Sequence, residues 1–144
     1  PTEIVDAVCQ LTELHLRFHG YGQGQWTDSA VRRYVRDAGE HLVRLHKLTR
    51  ADCTTRNARR AAILAATYDD LEERISVLRE QEELDSIRPD LDGNDIMEIL
   101  QVPAGPIVGK AYNYLLEIRL DQGPITREAA IKQLLTWWKS QNQF

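Results

Sequence analysis

The chain has 144 residues, 42% of them hydrophobic and 28% charged, and a net charge of -4. These values exclude a disordered polymer and a uniformly basic nucleic-acid binder, and the length suits one compact core or two small helical lobes. No apolar run reaches the length of a membrane span, and the Pro1-Thr2-Glu3 start lacks the pattern of a secretory leader, so a cytoplasmic setting is expected. Met97 is the only methionine, which predicts a piece of a longer protein. Cys9 and Cys53 lack CxxC spacing and are expected to be reduced, packed thiols.

Ile4, Val5, Val8, Leu11, Leu14, Leu16 and Phe18 recur near helical spacing, which predicts a first helix over residues 3 to 19, broken by the glycines from Gly20 to Gly24. Thr27 and Asp28 offer capping oxygens and Gly39 a stop, giving a second helix over 28 to 38. Leu42, Leu45 and Leu48 mark a third apolar stripe. After Thr54, Thr55 and Asn57 weaken helical propensity, Leu64, Tyr68, Leu71, Ile75 and Leu78 describe a long amphipathic helix reaching Leu84. Asp92 can cap a short helix through Ile96, Met97, Ile99 and Leu100. Pro103 to Pro106 forces a turn, and Pro106 opens a helix that Gly123-Pro124 closes. Thr126 can cap the last helix. No alternating strand pattern of useful length occurs, so the fold class is all-α, a bundle of six to seven helices in two lobes, residues 1–88 and 89–144.

Charge is sharply partitioned. Residues 44 to 60 carry Arg44, Lys47, Arg50, Arg56, Arg59 and Arg60 against Asp52 alone, whereas residues 69 to 98 hold twelve acids against three arginines. Arg56, Arg59 and Arg60 fall at i, i+3 and i+4 and are expected on one helix face, where three guanidiniums favour a phosphate backbone. The competing reading pairs them with Asp52 or with the acidic stretch of the long helix. Gly105 to Lys110 is a glycine-bearing turn opening a helix, where free amides and Lys110 suit an anion; Gly109 equally suits close helix packing. His15 and His19 share the i, i+4 spacing of a metal-binding pair, but the sequence supplies no obvious third donor; His41 and His46 turn to different faces. No HExxH, GxSxG or Walker loop is present, and no catalytic residue is assigned.

Residues 15–39 (HLRFHGYGQGQWTDSAVRRYVRDAG) and 45–57 (LHKLTRADCTTRN), together with 90–123 (DLDGNDIMEILQVPAGPIVGKAYNYLLEIRLDQG), resemble the C-terminal half of bacterial, actinobacterial-type tRNA nucleotidyltransferases of the CCA-adding enzyme and poly(A) polymerase family. The resemblance implies a non-catalytic, tRNA-binding region. Chemistry would belong to an upstream nucleotidyltransferase domain, a head this chain lacks, and Mg and CTP or ATP to that parent enzyme; no cofactor is expected here. The first part would resemble the end of an HD-type domain, with Asp52 at the superfamily's last metal-ligand position. The adjacent His-Asp pair is missing from the sequence, so Asp52 is expected to be metal-free. The expected RNA contacts are Arg44, Lys47, Arg50, Arg56, Arg59, Arg60 and Lys110, with tRNA as partner. Two alternatives stay open: part of an HD-type metal-dependent phosphohydrolase, or a helical protein-interaction module.

Overall fold

A computed structural model describes residues 1–21, 26–52 and 55–142. Among them the chain is all-α, with seven α-helices, two single 3-10 turns at Gly39–His41 and Leu84–Ser86, and no strand. No described helix is long and apolar enough to cross a membrane. The helices divide into two compact units, Pro1–Asp85 and Ser86–Phe144.

The first unit contains α1 (Thr2–Tyr21), α2 (Asp28–Ala38), α3 (Leu42–Ala51) and α4 (Ala58–Gln81). Local chemistry sets most of the ends. Thr27 accepts a hydrogen bond from the Ala30 amide and starts α2, and Gly39 stops it in the left-handed region at φ 50°. Asn57 Oδ1 accepts from the amides of Arg59 and Arg60, so α4 begins at Ala58, earlier than its apolar spacing indicates. It ends at Gln81, three residues before the expected Leu84, because Glu82 is extended. Helix α1 packs on α2 and α3, and α2 also packs on α3 and α4. Phe18 of α1 sets its ring edge-on to Tyr68 of α4, centroids 4.8 Å apart, and both are buried. Val31, Tyr34, Val35, Leu45, Leu71 and Ile75 are buried with them.

Several expectations about this unit are corrected. The apolar face of α1 is not buried along its length: Leu14, Phe18 and Tyr21 are buried, while Ile4, Val5, Val8 and Leu16 are more than half exposed and Cys9 is exposed, not packed. The reason is geometric, since residues 14, 18 and 21 share one line on a 3.6-residue helix and residue 16 lies on the far side. Likewise Leu48 lies outside the core, and the buried position on that last turn belongs to Thr49, whose hydroxyl donates to the Leu45 carbonyl. The helix also continues through Gly20 to Tyr21. The rest of the expected glycine break, residues 22–24, and Cys53 lie outside the described residues.

The second unit is a three-helix arrangement of α5 (Gly93–Leu100), α6 (Pro106–Gln122) and α7 (Arg127–Gln141), each packed on the other two. Asp92 and Asp95 form a reciprocal capping box at the start of α5, and Arg127 reaches Asp95 Oδ1 at 2.7 Å. Arg127, with the Asp92 amide, holds the Asp95 carboxyl below the usual carboxylate range. Pro106 occupies the first turn of α6, Gly123 ends it at φ 79°, and Thr126 caps α7. Leu91, Ile96, Leu100, Ala111, Leu115, Ala130 and Leu134 form the core.

Candidate functional site

The basic residues expected to touch RNA do not behave as a set. Arg50, at the end of α3, reaches across to α4 and bonds Asp69 Oδ1 at 2.6 Å and Glu72 Oε2 at 2.5 Å, with its guanidinium 4.5 Å from the centre of the Tyr68 ring. Those two carboxylates hold its charge more firmly than in a free arginine. Arg50, 41% exposed, therefore shares its charge with two acids in a surface ion-pair triad. The acidic stretch of α4 supplies the partners because its 69 and 72 positions share a helix face turned to the end of α3.

Arg56, Arg59 and Arg60 are exposed, and no ion pair to any of them is found among the described residues. Their arrangement differs from a single helical stripe: Arg56 precedes the cap residue Asn57, and only Arg59 and Arg60 stand in the first turn of α4. The result is a cationic collar around a helix N-terminus that lacks any acidic residue in its first turn. Asn57 caps the Arg59 and Arg60 amides, so the attraction for anions at that end comes from the three guanidiniums and the helix dipole. Pairing of Arg56 with Asp52 does not occur, because the Asp52 carboxylate faces two histidines instead.

Arg44 and Lys47 are exposed on α3; Arg44 Nη1 lies 3.4 Å from His41 Nδ1. Lys110 is exposed near the start of α6 in the second unit. Gly109 beside it is not a packing contact: a methyl group there would meet no neighbouring side chain or backbone within 4 Å. Gly109→Ala is accordingly expected to stabilise the second unit by about 0.5–1 kcal/mol by lowering the entropy of the unfolded chain, read as a raised urea midpoint at unchanged slope. Tyr112, Tyr114, Trp137 and Trp138 pack against the core of that unit, and Tyr114 stacks on Trp137 at 5.8 Å between centroids.

His15 and His19, one turn apart on α1, converge on Asp52 at the end of α3. Their Nε2 atoms lie 3.5 Å and 3.7 Å from the same carboxylate oxygen, Oδ2. The third donor that the sequence does not reveal is thus brought in by the packing of α3 on α1. His46 has a separate role: its Nδ1 meets the Tyr68 hydroxyl, and burial pushes its pKa down against the opposing pull of Glu72. Burial likewise pushes the neighbouring Tyr34 hydroxyl up to about 12.

Compared with known proteins, the chain matches no family model, no curated protein and no solved structure.

Proposed function

We propose that this chain is a non-catalytic RNA-binding region that holds tRNA for an upstream nucleotidyltransferase domain of the CCA-adding type. The observation that carries the reading is the exposed trio Arg56, Arg59 and Arg60 at the N-terminus of α4, to which no ion pair is found among the described residues. Guanidiniums facing solvent bind phosphate oxygens without reading base edges, which suits recognition of many tRNAs of common shape and different sequence. Arg44, Lys47 and Lys110 supply further exposed charge, and the charge of Arg50 is partly offset by Asp69 and Glu72. The sequence resemblance of residues 15–39, 45–57 and 90–123 suggests the identity of the RNA and implies Mg and CTP or ATP for the head; no residue here is assigned to them.

The test is a titration of fluorescently labelled tRNA at several salt concentrations with the chain and with its Arg56→Glu, Arg59→Glu, Arg60→Glu triple variant. The unsubstituted chain is expected to bind with strong salt dependence, and the triple variant to lose binding or to show a slope of log affinity against log salt smaller by about three. Equal affinity and slope for the two proteins would remove this face from the interface. No affinity for tRNA in the unsubstituted chain would overturn the reading itself.

A further inference from the structure

The strongest chemical grouping outside the basic collar is His15, His19 and Asp52, and we infer that these three side chains form a binding site for a divalent transition metal of the zinc class. Each offers one donor atom, and the three atoms lie within 4.8 Å of one another. At metal-ligand bonds of about 2.0–2.1 Å, two donors of a tetrahedral site stand about 3.4 Å apart. The two histidine-to-carboxylate separations, 3.5 Å and 3.7 Å, are already close to that edge. They are too long for direct hydrogen bonds, whose N–H···O distances centre near 2.9–3.0 Å, so the donors are spaced to share a cation.

The surroundings favour that occupant. His15 Nδ1 lies 2.7 Å from the Thr12 carbonyl, so in the neutral ring Nδ1 carries the proton and donates it to that oxygen. This bond fixes the tautomer and leaves the lone pair of Nε2 directed at the carboxylate, the outer-shell arrangement that supports metal-bound histidines. In that neutral form the lone pair and the carboxylate face each other as two acceptors, an opposition that a shared metal ion or protonation of the ring relieves. Asp52 is also the C-cap of α3, where the helix dipole disfavours an anion and favours a cation. Two imidazoles and one carboxylate select zinc, cobalt or nickel over magnesium and calcium, which take oxygen ligands.

His15 is 18% exposed, His19 52% and Asp52 48%, so the site opens to solvent and leaves a fourth position for water. The ligand set differs from one built on an adjacent His-Asp pair, which the sequence lacks. It also stands apart from the RNA-binding reading and uses none of the collar arginines.

The experiment is a titration of the whole chain, stripped with chelator, with Zn2+ by calorimetry and with Co2+ by visible absorption. One equivalent is expected to bind, with the absorption of a four-coordinate cobalt site and a melting temperature that rises with metal concentration. His19→Gln and Asp52→Asn, both at half-exposed positions, are each expected to weaken binding at least about tenfold while keeping the helical circular dichroism. His41→Gln, a histidine outside the cluster, is expected to bind as the unsubstituted chain does. Absence of saturable uptake, or uptake that His19→Gln and Asp52→Asn leave unchanged, would overturn the site and leave only histidine-carboxylate ion pairs.

Discussion

Arg32→Met is expected to destabilise the Pro1–Asp85 unit by about 3–5 kcal/mol, because it removes the bidentate partner of a buried carboxylate. Arg32 of α2 and Glu82, just past the end of α4, have side chains only 8% and 4% exposed. The guanidinium meets the carboxylate with both faces of its fork: Nε lies 3.1 Å from each Glu82 oxygen and Nη2 lies 3.0 Å from Oε1. A bidentate pair of this geometry offsets the desolvation of both ions, and removing one partner takes that compensation from the other. The double variant Arg32→Met, Glu82→Leu is therefore expected to recover most of the loss, since it replaces both charges with apolar groups of similar volume. Urea unfolding followed by circular dichroism measures both quantities, and the slope should stay constant. A single-variant loss below about 1 kcal/mol would show that water reaches Glu82 and that the pair belongs to the surface class.

Phe18→Ala is expected to cost about 3–5 kcal/mol in the same unit. Phe18 is 2% exposed and sits between Tyr21, stacked at 6.2 Å, and the edge-on Tyr68 at 4.8 Å. Removing the ring takes away both the apolar burial and the aromatic contact that holds α1 to α4, and the helices around it can close the space only in part. Leu16→Ala, two residues earlier on the same helix and 59% exposed, is the matched control and should stay within about 0.5 kcal/mol. Phe18 also lies next to His19, so its loss frees the end of α1 that carries the histidine pair; the Phe18→Ala protein should bind Zn2+ more weakly without any ligand having been altered. Equal stability of the two variants would show that α1 is not anchored through Phe18.

Much of the architecture was legible residue by residue. Thr27, Asp92, Pro106, Thr126, Gly39 and Gly123 mark helix ends in the sequence and hold the same places in the fold, because a cap or a left-handed glycine acts on amides and carbonyls within four positions of itself. The all-α class followed from apolar spacing for the same local reason. The site was less legible. The exposed trio at the start of α4 was visible as a charge run, but its division across the cap residue was not, since that depends on where Asn57 turns its side chain.

Sequence alone therefore determined the helical class, most helix boundaries and the presence of a basic segment followed by an acidic one. Tertiary packing decided which charges remain available and which donors meet. Arg50 is paired with Asp69 and Glu72, Arg32 is buried against Glu82, and Asp52 is delivered to His15 and His19. Each of these contacts joins residues of different helices or their caps, and a periodicity of 3.6 residues reports which side of its own helix a side chain occupies while carrying no information about the helix it will face.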